Sequence, residues 1–140
     1  MDSANSTNLK HIRVVGAAIV RDGECLVTQR SEQMAMPGKW EFPGGKIEAG
    51  ETPAQALARE IQEELNLCIQ VGEHLATGYA RKPSALIQLE VYLATLRSGE
   101  MILREHQDAG WFSAAALPEL DWAEADIPGL QALLSYLAKQ

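Results

Sequence analysis

The sequence predicts an α+β domain, within the broad α/β class. Three observations carry this: β-branched residues that open the chain as a hairpin, a sharply capped amphipathic helix in the middle, and a leucine-periodic segment at the end. The 140 residues suit one ordinary domain, which buries on the order of 68–70 % of the surface its unfolded chain exposes. A content of 46 % hydrophobic and 22 % charged residues is globular rather than disordered. Residues 11–140 are expected to form that domain, and residues 1–10, "MDSANSTNLK", a disordered polar tail.

"RVVGAAIV", Arg13 to Val20, reads as a strand buried on both faces. Asp22-Gly23 is a type I′ hairpin signal, and "CLVTQR" returns antiparallel. "SEQMAMPGK" is a loop, "WEF" a short strand and "PGGK" a Pro/Gly turn. Thr52-Pro53-Ala54-Gln55 combines a capping box with Pro at the first helical position, so a helix is predicted from Pro53 to Leu65, with Asn66 as a left-handed stop. "CIQVGEHLATGYA" and "SALIQLEVYLATL" read as longer strands, "RSGE" as a turn before a further strand at "MILR", and "WFS" as a last short strand. Leu130, Leu133, Leu134 and Leu137 lie in helical register and close the chain with a second helix.

With 19 Asp and Glu against 12 Lys and Arg, the net charge of −7 repels a nucleic-acid backbone. A small phosphorylated molecule remains a fitting partner if divalent cations supply the positive charge. Cys25 and Cys68 have neither CxxC spacing nor a His-rich partner pattern, and both are expected to be buried thiols. No apolar run approaches the length of a membrane span, and the N-terminus lacks a signal-peptide core, so a cytoplasmic protein without membrane contact is expected.

On the predicted first helix, Leu57, Ile61 and Leu65, with Ala54 and Ala58, form an apolar stripe, while Glu60, Glu63 and Glu64 cluster on another face. Like charges at i, i+4 cost about 0.2–0.5 kcal/mol unless a cation sits between them. A glycine-rich turn precedes the cluster, Glu51 stands at the helix entrance and Arg59 directly before Glu60. From Gly45 to Leu67 the pattern is G-x5-E-x7-R-E-I-x-E-E-x-N-L.

This pattern resembles the signature of the Nudix hydrolases, with Asn66 where the family has a final glycine; Asn also tolerates the left-handed conformation. The resemblance implies an α/β/α sandwich with a mixed sheet, and Mg2+ (or Mn2+) held by Glu60, Glu64 and the Gly45 carbonyl. It makes Glu63 a ligand or the base that activates water, Arg59 an orienting residue, and Glu51 a support of the loop. The segments "VVGAAIVRDGECLVTQR", "WEFPGGKIEAGETP" and "EHQDAGW" are similar to the MutT-like nucleoside triphosphate pyrophosphohydrolases. Water there attacks the β-phosphorus and releases a monophosphate and pyrophosphate.

By the same resemblance Glu105 is a further metal ligand or base, and Arg30 and Lys46 contact phosphates. Arg81 and Lys82 are further candidates for guiding phosphates. Phe42 and Tyr79 are candidates to stack on the base. Asp126, in "ADIP", reads the base or instead caps the last helix; that segment is similar to the family's cytidine triphosphate branch, where an ionised Asp accepts the cytosine amino group. The implied protein is a monomer or homodimer that clears cytosine nucleotides from the pool. Alternatives are an 8-oxo-dGTP diphosphatase, a Nudix enzyme for other diphosphates, and a non-catalytic nucleotide-binding module.

Overall fold

The computed structural model describes residues 9–140. The expected tail, residues 1–10, lies outside the described residues except at its end, where Lys10 already opens strand β1 (Lys10–Arg21). Along β1, Val15, Ala17 and Ile19 enter one apolar layer and Val14, Ala18 and Val20 the other, so the strand is covered on both faces as its composition predicts. Asp22 and Gly23 have φ of 52° and 78°, the left-handed pair a type I′ turn requires. They return the chain as β2 (Glu24–Gln29), antiparallel to β1 with Ile19 opposite Leu26.

After β3 (Trp40–Glu41) the expected "PGGK" turn is in part a strand, β4 (Gly44–Lys46), antiparallel to β1 with Val15 opposite Gly45. A side chain at Gly44 would collide with the main-chain oxygen of Val15, so glycine is what lets this short strand approach. Helix α1 (Pro53–Leu65) follows with both predicted caps. Thr52 and Gln55 exchange side-chain and main-chain hydrogen bonds at 3.0 and 3.1 Å, and Asn66 stops the helix at φ 61°. Its buried stripe is Ala56, Leu57, Ile61 and Leu65; Ala54, expected in it, is exposed.

Strands β5 (Leu67–Lys82) and β6 (Ala85–Gly99) form a long hairpin, and β6 runs parallel to β1 from Lys10↔Ala85 to Ile19↔Ala94. The sheet order is β3-β2-β1-β6-β5, with β4 on β1 and β7 (Asp108–Ser113) on β2. The sheet is therefore mixed. The strand expected at "MILR" does not form: Ile102 donates instead to the Leu65 carbonyl at the end of α1, at 2.9 Å, and Met101 to Leu103 stay exposed.

Helix α1 covers one face of the sheet, over Val15, Ile19 and Leu26. Helix α2 (Ile127–Ala138) covers the other, with Leu130 and Leu133 against Phe42, Val91 and Trp122. The result is the expected α/β/α sandwich. Cys25 is buried, which pushes its thiol up to about 12. Cys68 is exposed, contrary to expectation, because Leu67 and Ile69 take the inward positions of the strand. Among the described residues no helix is long and apolar enough to cross a membrane.

Candidate active site

Arg59 organises the acidic face of α1. Its Nε and Nη2 donate to the two oxygens of Glu51 at 2.7 and 3.0 Å, and Nη1 to Glu60 and Glu63 at 3.2 Å each. Nη2 also donates to the Lys46 carbonyl at 3.1 Å, tying β4 to the helix. The guanidinium is held still more firmly in its charged form, chiefly by Glu51. Glu51 is pulled below the usual carboxylate range, first by Arg59 and then by the Glu48 N–H. Both residues therefore have the orienting and supporting contacts expected of them.

Glu60 lies on the main chain of Gly45: a methyl group there would stand 2.5 Å from both carboxylate oxygens. Burial pushes Glu60 above its ordinary value, against the pull of Arg59. Glu64, one turn on, opens on a cavity of about 450 Å3 that Gly45, Lys46 and Glu105 also line. Burial, and next the charge of Glu105, push Glu64 up. Glu63 projects at the rim with its side chain 59 % exposed.

Oxygen donors of this kind suit a hard divalent cation, and Mg2+ takes one or two carboxylates together with substrate phosphates rather than a complete protein cage. Among the described residues no three His, Cys, Asp or Glu side chains converge on one point. The glutamates that burial and mutual repulsion raise, beside a glycine whose missing Cβ gives Glu60 its place, fit that partial ligand set.

The cavity runs from these carboxylates to Asp126. Asp126 is 5 % exposed and makes no capping bond to α2. Its Oδ2 accepts the Phe42 main-chain N–H at 2.9 Å. Burial, then the Glu41 charge, raise its pKa well above the usual range, so the neutral acid is favoured. Phe42 is placed differently from the expected stacking platform: its ring is 3 % exposed and packs on Trp122 at 5.0 Å between centroids. It serves Asp126 through its main chain.

Tyr79 is corrected outright. Gly78 faces Ala125 and Pro128, and Ala80 and Lys82 line the cavity, so Tyr79, one step out of phase and 52 % exposed, faces away, as does Arg81. Arg30 lines the cavity but is committed to Glu41, with Nη1 to Oε1 at 2.7 Å, and to the Ala35 carbonyl. Lys46 is exposed at the cavity lip.

Four residues that sequence reasoning passed over, His106, Glu41, Met34 and Met36, join the site. His106 is buried between Glu41, 2.7 Å from its Nε2, and Glu64, 3.9 Å from its Nδ1. Met34 and Met36 form part of the cavity wall. The "EH" and "WEF" segments held the first pair in plain view, yet 65 residues separate Glu41 from His106 and only the pairing of β2 with both β3 and β7 brings them together.

The sequence profile of the NUDIX domain matches residues 10–133. The chain belongs to the Nudix family. It is 38 % identical to the CTP pyrophosphohydrolase of Escherichia coli over 130 residues, covering 93 % of this chain and 96 % of that one. It is 41 % identical to a putative 8-oxo-dGTP diphosphatase 2 of Mycobacterium tuberculosis over 81 % of each chain. The solution structure of the E. coli ORF135 protein superposes with a TM-score of 0.81 at 37 % identity, covering 96 % of both chains. The Nudix fold read from the glutamate motif is thereby borne out, as is the likeness to the pyrophosphohydrolase branch.

Proposed function

We propose that this Nudix protein hydrolyses nucleoside triphosphates to monophosphate and pyrophosphate, with cytosine nucleotides as its preferred substrates. The single observation that carries the reading is one cavity with Glu64 and Glu105 at one end and the buried Asp126 at the other. The named activities of the E. coli and M. tuberculosis relatives support the reaction type.

Glu60, Glu64 and the Gly45 carbonyl would hold Mg2+, which would neutralise charge on the phosphates. Arg59 bridges Glu60 and Glu63 through Nη1 and ties them to the β4 main chain through Nη2. Glu63 lies outside the cavity and completes the acidic rim. Glu105, which lines the cavity with Glu64, takes a proton from the water that attacks the β-phosphorus. Lys46 meets the phosphates at the cavity lip, while Arg30 fixes Glu41.

At the far end, a neutral Asp126 offers one O–H donor and one acceptor. Cytosine presents the complementary edge, an N4 amino donor beside the N3 acceptor. An ionised Asp126, acceptor only, would meet the N4 amino group alone. An 8-oxo-dGTP preference is the second reading, favoured by the M. tuberculosis relative. Relative kcat/KM for CTP, dCTP, 5-methyl-dCTP and 8-oxo-dGTP under Mg2+, with Glu64→Gln as control, separates the two. A cytosine preference that Asp126→Ala weakens by about 10-fold or more, and that Asp126→Asn, which keeps a donor and an acceptor, largely retains, supports base reading by Asp126; a preference unchanged in Asp126→Ala removes it.

A further inference from the structure

We propose that His106 is a positioning residue for Glu64, coupling the carboxylate to the cavity wall that Arg30 and Glu41 build. The inference rests on the triphosphate-hydrolase reading and concerns a residue outside the Nudix glutamate motif.

The imidazole is anchored from one side. Its Nε2 lies 2.7 Å from Glu41 Oε2, and the other oxygen of Glu41 accepts Arg30 Nη1 at 2.7 Å, so the ring cannot turn without breaking a chain of two short polar contacts. With Nε2 engaged by a carboxylate, Nδ1 is the free valence. It is buried, has no hydrogen-bond partner among the described residues, and stands 3.9 Å from Glu64 Oε2.

A hydrogen bond needs about 2.7–3.2 Å, so a side-chain shift of roughly 1 Å by Glu64 closes the gap. Nothing else polar offers Nδ1 a partner, and an unmade hydrogen bond on a buried nitrogen is costly. One proton between Nδ1 and Glu64 satisfies both groups, whichever atom carries it. Glu64 is thus offered a fixed docking point on the wall opposite α1, in the manner of outer partners that orient ligand carboxylates.

The amide of Asn falls near the Nδ1 position of histidine and that of Gln near Nε2, so two variants divide the ring's contacts. His106→Gln keeps the Glu41 side and loses Glu64; it is expected to lower kcat by about 10–100-fold with KM nearly unchanged, and to weaken Mn2+ binding, read from the paramagnetic resonance of the free ion, by a similar factor. His106→Asn is expected to recover part of both losses. In a Glu64→Gln background, where Mn2+ binding is the readout, His106→Gln should weaken that binding little further, since its effect passes through Glu64.

Equal losses in the two variants, or an undiminished loss in the Glu64→Gln background, would mean that His106 only supports the fold, and the proposal would be overturned. Should His106→Gln not fold, Glu41→Ala releases the same anchor while leaving the imidazole, and is expected to show the same non-additivity with Glu64→Gln; additivity overturns the proposal. If the wild-type protein turns over no triphosphate, the functional reading has failed, and the Mn2+ comparison alone decides the role of His106.

Discussion

Gly45→Ala separates catalysis from folding. The added methyl would sit 2.5 Å from both carboxylate oxygens of Glu60. An ordinary van der Waals contact begins at 3.4 Å and the nearest atom, Glu60 Cδ, would stand at 2.2 Å, so the carboxylate must retreat by about 1.2 Å. The obstructing group is the end of a flexible side chain, and the backbone at Gly45 lies outside the left-handed region. Relief is therefore cheap: alanine's lower unfolded-state entropy, worth about 0.4–1 kcal/mol, offsets much of the strain, and stability should change by less than about 1 kcal/mol. Catalysis is less tolerant, because a displacement of about 1 Å in a positioned group costs about 100-fold. Urea denaturation and steady-state hydrolysis of dCTP under Mg2+ would measure the two effects side by side. Gly44→Ala supplies the contrast. Its methyl meets the Val15 main chain and Gly16 Cα, at 2.9 Å for the latter, and overpacking against backbone costs about 1–3 kcal/mol or more. A Gly45→Ala protein with kcat within about 3-fold of wild type would refute the reasoning that Glu60 is placed by the absent side chain.

Arg59→Lys replaces a fork that reaches Glu51, Glu60, Glu63 and the Lys46 carbonyl with a single ammonium; kcat should fall about 10-fold or more, measured at saturating Mg2+. Asp126→Asn should flatten the pH dependence of stability. Burial and the Glu41 charge raise the folded-state pKa of Asp126, so its contribution is complete below the unfolded value of about 3.9 and is lost as pH rises towards the folded value. Wild-type unfolding free energy should therefore decline over that interval relative to Asp126→Asn, and parallel curves would contradict the assignment. Tyr79→Ala, on the far side of β5, should leave kcat/KM within about 2-fold of wild type, as a surface change away from the cavity does.

Local signals explain what could be read before the fold was known. Helix α1 is bounded by contacts spanning three or four residues, from Thr52–Gln55 at one end to Asn66–Gln62 at the other, and its glutamates follow from helical spacing. The Asp22-Gly23 hairpin is equally local. Non-local features escaped. The parallel pairing of β1 with β6 joins residues 75 apart, as in Lys10↔Ala85, and the expectation of a mixed sheet came from family resemblance instead. Tyr79 was misplaced because strand phase decides which face a side chain takes, and that phase depends on the register of the β5–β6 hairpin, irregular between Val71 and Ala76. Phe42 carries the right neighbour but offers its main chain, an outcome set by the packing of Trp122. The Glu41–His106 pair is a product of sheet assembly with no spacing of its own.

The central claim is that the carboxylates of α1 and the cavity beside them break one phosphoanhydride bond of a nucleoside triphosphate. Hydrolysis of dCTP with Mg2+ in water labelled with heavy oxygen, followed by mass spectrometry, tests it directly. The expected products are dCMP and pyrophosphate, with the label on pyrophosphate and turnover abolished by Glu64→Gln. A diphosphate and inorganic phosphate, label on dCMP, or no turnover above the Glu64→Gln background would contradict the account.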